Sequence, residues 1–218
     1  MTRRELKTGR RIVLLCEGKT EILAVQQFLR RQWTVDSLAN TALVPIDLRG
    51  HLENVSKQVP RHLNDPKVLA VFTLIDLCRF GRLEFSGAEE KPQKVALCAE
   101  WLRDRVPVSC HTRFFPHLSV HEVESWILAE GKALAARLGD SRIKPASNAE
   151  DINDQETPKA RLHEIFKRNG KREGYLETRD GYALFGNMDF QPVYDTCLYF
   201  RAFYDDLKRV AANWSSPS

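Results

Sequence analysis

Four carboxylates occupy marked places in this sequence. Glu17 directly follows the apolar run Ile12 to Cys16, and Asp76 directly follows Val68 to Ile75. Glu122 and Glu124 come shortly after a third run ending near Phe115. If the three runs are strands of one open α/β sheet, their carboxyl ends share an edge, which is where such sheets bind ligands. Carboxylates held together repel, and a hard divalent cation with oxygen ligands, Mg²⁺ or Mn²⁺, is the simplest relief. Such a site can polarise a phosphodiester and activate water for in-line attack. Acids at strand-to-helix junctions also complement the helix dipole. Asp76 is harder to explain that way, because a charge ending an eight-residue apolar run is costly if buried unpaired. Lys19, Arg79 and Arg82 lie beside these acids and are the expected contacts for a polyanionic substrate.

The elements that position these groups follow from hydrophobic pattern. Ile12–Cys16 predicts a buried strand and Glu17-Gly18-Lys19 a turn. Ile22, Leu23, Val25, Phe28 and Leu29 predict a helix ending near Trp33, with Thr20 available as its cap. Ala42 to Leu48 predicts a second strand and Leu52 to Leu63 a second helix. Val68 to Ile75, apolar throughout, suits an interior strand of a parallel sheet. Gln93 to Asp104 predicts a helix, Ser109 to Phe115 a short strand, and Val120 to Ala136 another helix. Strands alternating with helices predict an α/β fold with a mainly parallel sheet flanked by helices. Gly139 to Pro158 reads as a polar loop, followed by helices over Ala160 to Asn169 and Pro192 to Ala212. The expected organisation is an α/β domain over residues 1–138, then a linker and helical C-terminal extension over 139–218 packed on the core.

Several motifs mislead. Gly18-Lys19-Thr20 follows a strand, but a phosphate-cradling P-loop needs glycine at position 13, which is Val13. His121-Glu122-Val123-Glu124-Ser125 lacks the second histidine of a zinc-protease helix, and His117 with His121 reads as an ordinary pair. The aromatic residues from Tyr194 to Tyr204 read as helix core rather than a base-stacking platform. Composition excludes other classes. The 218 residues carry 33 Lys+Arg against 29 Asp+Glu, a formal net charge of +4 that permits contact with nucleic acid without demanding it. The longest strongly apolar stretch has eight residues, far short of the roughly 20 of a spanning helix, so no membrane is expected. The five cysteines are odd in number and show no CxxC spacing, and the N-terminus has no secretory pattern, so a reduced, cytoplasmic setting is expected.

Strand, Glu17-Gly18-Lys19-Thr20-Glu21, helix, and then Thr73-Leu74-Ile75-Asp76 resemble the TOPRIM fold of topoisomerases, primases and OLD-type nucleases. More closely, the chain resembles a bacterial TOPRIM-like family, the domain of unknown function 4276. The resemblance rests also on His121-Glu122 with Glu124-Ser125-Trp126, on Pro158-Lys159 with Leu162, and on a C-terminal stretch containing Cys197 and Phe200. It implies that Glu17 acts as general acid/base or metal neighbour and that Asp76 is the first metal-binding acid. TOPRIM sites usually carry Asp-x-Asp, whereas this chain has Asp76-Leu77-Cys78; Glu122 or Glu124 is then expected to supply the missing carboxylate. Glu21, one helical turn from Glu17, is a weaker candidate. The resemblance thus implies a Mg²⁺-dependent nuclease with an AAA-type ATPase partner and a role in phage defence. The incomplete Asp-x-Asp leaves a rival, a non-catalytic regulatory subunit of such an ATPase.

Overall fold

The computed structural model describes residues 9–81, 90–120, 122–147, 149–151 and 157–213. Among these residues, five parallel strands form the sheet: β1 (Arg10–Cys16), β2 (Thr41–Asp47), β3 (Val68–Asp76), β4 (Phe114–Phe115) and β5 (Leu118–Ser119). Their order is β2-β1-β3-β4, and β5 pairs with the carboxyl end of β3. Every residue of β3 is buried, as its unbroken apolar run requires of a strand covered on both faces. β2 lies at the edge, where Pro45 leaves no interior ladder bond unmade.

Side-chain alternation along β1 and β3 builds two cores. Ile12, Leu14 and Cys16 with Ala70, Phe72 and Leu74 face one side. There they meet α1 (Lys19–Leu23), which passes through a π-helical stretch, Ala24–Leu29, into α2 (Arg30–Val35). Val13, Leu15, Val71 and Ile75 face the other side, against α3 (Val55–Leu63) and α4 (Lys91–Asp104). The first core continues into α5 (Glu124–Glu130), α6 (Lys132–Leu138), α7 (Pro158–Arg168), α8 (Tyr182–Asn187), α9 (Phe190–Thr196) and α10 (Leu198–Asn213). The expected mainly parallel sheet flanked by helices is therefore present. Among the aromatic residues of the last two helices, Phe200, Phe203 and Tyr204 are buried in this core, as the helical pattern predicted.

Four local expectations are corrected. Ser109 to Phe115 is not one strand: a 3₁₀ turn, Val108–Arg113, follows Pro107 and leaves only Phe114–Phe115 extended. The helix expected over Val120 to Ala136 begins at Glu124 and breaks at Gly131. Gly131 has φ +65°, and a Cβ there would lie 2.7 Å from the Pro145 nitrogen. The chain can turn at that point only with glycine. Pro192 to Ala212 is two helices broken at Cys197, whose backbone is extended. Thr20 does not cap α1; Gly18 holds that position, and the Thr20 hydroxyl donates to Glu177 Oε2 at 2.8 Å. Among the described residues, no helix is long and apolar enough to cross a membrane.

Candidate active site

Strand register sets the site. Cys16 pairs with Asp47 on one side and Leu74 on the other, while Asp76 pairs with Ser119. The acids at the ends of β1, β2 and β3 thus leave the sheet at one edge. They line an open cavity of about 640 Å³ with Lys19, Arg79, Glu122 and Glu124. Glu17, Asp76, Glu122, Glu124, Lys19 and Arg79 are therefore brought together. Arg82 and His121 lie outside the described residues.

Each acid is held differently. Glu17 accepts the Asp76 backbone N–H at Oε2 (3.0 Å) and an ion pair from the Arg79 guanidinium at Oε1. Arg79 passes over Gly50, where a Cβ would stand 3.1 Å from its Nη2, so a side chain at position 50 would crowd the approach. Glu21 accepts the Gly18 N–H at 2.9 Å, and Glu122 accepts the Lys159 N–H at 2.8 Å. Asp76 Oδ1 and Glu124 Oε1 are buried with no hydrogen-bond partner among the described residues. Hydrogen-bonding potential left unmet at that depth is expensive.

The electrostatics reflect crowding. Burial, then the charges of Glu21, Glu17, Glu124 and Glu122, hold the Asp76 carboxyl well above its ordinary range. Burial, followed by Glu122, pushes Glu124 up to about 8, and burial with Glu17 raises Glu21 to about 7. Burial alone would lower the Lys159 ammonium. Its ion pair with Glu177 (2.5 Å) and the charges of Glu124 and Glu122 outweigh that and raise it.

Sequence reasoning missed five groups in this cavity, one of them Arg49 in the turn after β2. Asp47 ends β2 as Asp76 ends β3, so the strand-end rule could have found it. The resemblance includes Lys159 and Thr20 without giving either a role in the site, and local pattern offers Thr20 only as a helix cap. Glu177 sits in a π-helical turn, Glu177–Gly181, that carries no periodic signal. The weaker candidate Glu21 is 6% exposed and belongs to the acidic group. His117 does not join it. Its ring stacks on Phe72 and meets Phe203 edge-on, and Nε2 pairs with Asp206 at 3.0 Å, a packing role.

A parallel α/β sheet whose carboxyl edge gathers acids around a polar cavity presents that cavity at the edge where open α/β sheets place their ligands. The chain belongs to the family Domain of unknown function (DUF4276), whose model matches residues 16–208. No curated protein matches it. Among solved structures, it is similar to the C-terminal region of the Burkholderia pseudomallei OLD protein, with 17% identity and a TM-score of 0.45 over 94% of this chain and 100% of that one. It is also similar to the C-terminal region of the Xanthomonas campestris pv. campestris OLD protein, with 18% identity and a TM-score of 0.43 over 94% of this chain and 97% of that one. These are distant likenesses.

Proposed function

We propose that this cavity is the active site of a divalent-cation-dependent phosphodiesterase acting on nucleic acid. The observation that carries the reading is the pair of buried, unpartnered oxygens, Asp76 Oδ1 and Glu124 Oε1, inside a group of like charges. Among the described residues, no three His, Cys, Asp or Glu side chains already stand as a cation cage. Protein donors hold Glu17, Glu21 and Glu122, as above. The donor set is nevertheless all hard oxygen, which fits Mg²⁺ or Mn²⁺. Asp76 and Glu124, with Glu17 and Glu122, would hold the ion. A cation there supplies Lewis-acid polarisation of a phosphodiester.

The other residues follow from chemistry. Lys19, exposed at the cavity, and Arg79 offer positive charge to phosphate oxygens. Lys159 brings an ammonium from α7 to Glu124 and Glu122. Glu21, with its pKa near 7, is suited to hold or release a proton at neutral pH.

The pairing of Glu17 with Arg79 favours a second reading, a non-catalytic subunit of an AAA-type ATPase in which that ion pair closes the site. One experiment separates the two. Plasmid DNA, single-stranded DNA and RNA are incubated with the protein in Mg²⁺, Mn²⁺ or EDTA, and again with Asp76→Ala. Cleavage that needs the cation and falls about a hundredfold or more in the variant supports the enzyme. Cation-dependent cleavage untouched by Asp76→Ala breaks the site assignment, and no cleavage of any substrate favours the subunit.

A further inference from the structure

A second cavity, of about 360 Å³, lies at the other end of α7 and has the opposite sign. Four cations line it, Arg137, Lys171, Arg172 and Arg179, against two carboxylates, Glu173 and Asp180. They come from three separate segments: α6, the loop after α7, and the π-helical turn Glu177–Gly181.

The fold holds this cavity in shape before any ligand arrives. Asp180, 1% exposed, takes Arg137 Nη2 at 2.6 Å, Arg179 Nη2 at 3.0 Å and the Leu176 N–H at 3.0 Å. One buried carboxylate thus fastens two guanidiniums in place. α7 stops in a Schellman arrangement, with Lys171 N–H donating to Phe166 O and Gly170 N–H to Lys167 O, both at 3.0 Å. Gly174 has φ +69°, and any Cβ there would meet the His163 ring at 2.2 Å, so the loop is pinned against α7. Lys171 and Arg172 are exposed on that loop and make no ion pair among the described residues. Cations near a helix C-terminus do complement its dipole. That accounts neither for the cavity nor for Arg137 and Arg179 arriving from other elements.

The same two segments border both cavities. α7 begins at the acidic one with Lys159 and ends beside the basic one. The π-helical turn sends Glu177 to the first and Arg179 with Asp180 to the second. α7 has 11 residues. At roughly 1.5 Å per residue it spans about 16 Å, a length that a few nucleotides of a strand can bridge.

We infer that the cavity formed by Arg137, Lys171, Arg172 and Arg179 is a phosphate-binding pocket that holds the backbone of a nucleic-acid strand a few nucleotides from the acidic edge. Only the identity of the polyanion rests on the phosphodiesterase reading; the cation-lined pocket does not.

The test is equilibrium binding of a labelled single strand of about 20 nucleotides, in EDTA so that no cleavage intervenes, across a salt series. Lys171→Glu with Arg172→Glu should weaken binding about tenfold or more and reduce the slope of log K against log salt by about 1.4. The same charge change at Lys57 and Arg61, on α3 across the sheet, should change affinity less than about twofold, since exposed charges beyond a Debye length are screened. If the reversal pair fails to fold, Lys171→Gln with Arg172→Gln should still weaken binding and lower the slope. A pocket pair that behaves like the α3 pair overturns the inference. Inorganic phosphate forms the second arm: displacement of the strand only at ionic strengths where chloride also displaces it supports a nucleic-acid occupant. Displacement at micromolar phosphate identifies a free-phosphate site and overturns it. A protein that cleaves no diester yet loses affinity on reversal breaks the catalytic reading alone. Cation-dependent cleavage with unchanged affinity breaks this inference alone.

Discussion

Asp180 and the pair Asp76 and Glu124 are carboxylates with little solvent exposure at opposite ends of α7, and the fold treats them in opposite ways. Burial works to raise the Asp180 carboxyl too, but hydrogen bonds from Arg179, Arg137 and the Leu176 N–H outweigh it and hold the group below its ordinary range. Among the described residues, no comparable donors reach Asp76 and Glu124 and one oxygen of each has no hydrogen-bond partner, while neighbouring carboxylates add to the cost. Low exposure alone therefore does not decide the state of an acid; the weight of burial and the donors delivered to it together do. An acid satisfied by the chain fastens structure, whereas acids left unsatisfied keep capacity for something from solution.

That contrast can be broken in stages. Removing the satisfied acid should cost most: Asp180→Asn is expected to lower stability by about 2–3 kcal/mol in urea unfolding. The figure is below that for a fully buried pair because both guanidiniums keep solvent contact. No loss would mean that Asp180 fastens nothing. Next, Mg²⁺ or Mn²⁺ at ten times its Kd should stabilise the wild-type protein by roughly 1.4 kcal/mol. Thermal unfolding should show this shift, and Asp76→Asn should abolish it. A shift of equal size in the variant would place the cation elsewhere.

The smallest effect is on the unsatisfied side. In EDTA at pH 8, Glu124→Gln should stabilise the protein by about 1 kcal/mol, since it removes a disfavoured charge without changing shape. The pH dependence has a definite sign. Glu124 at about 8 and Glu21 at about 7 keep their protons in the folded state, while the unfolded chain loses them above its ordinary value of 4.5. The unfolded state then binds fewer protons, so stability falls as pH rises from about 4.5 to 8 and levels off above. Glu124→Gln should flatten that decline, and a stability that instead rises through this window would contradict the crowding described above.

Much of the fold could be read in advance where one element carries its own signal. β1 and β3 are apolar and end in acids, so their burial and the positions of Glu17 and Asp76 followed from local pattern. The break at Gly131 was not legible, because the glycine is required by the approach of Pro145, fourteen positions away in sequence. Residues 177 to 187 gave no periodic pattern, since a π-helical turn running into the six-residue α8 repeats nothing long enough to detect. Lys159 and Glu177 were missed as site residues for a related reason. Each reaches the cavity through packing of the C-terminal helices rather than through any spacing with Glu17 or Asp76.

Sequence by itself determined the parallel α/β class, the acids that end its strands and the family to which the chain belongs. These follow from residue type and near-neighbour order, which the backbone converts directly into strand, turn and helix. Tertiary structure alone decided which acids are met by donors and which are not. It also decided that α7 places a group of acids at one end and a group of cations at the other. Hydrogen bonds such as Thr20 to Glu177 and ion pairs such as Arg137 to Asp180 join residues 157 and 43 positions apart, and no local pattern encodes a partner at that distance.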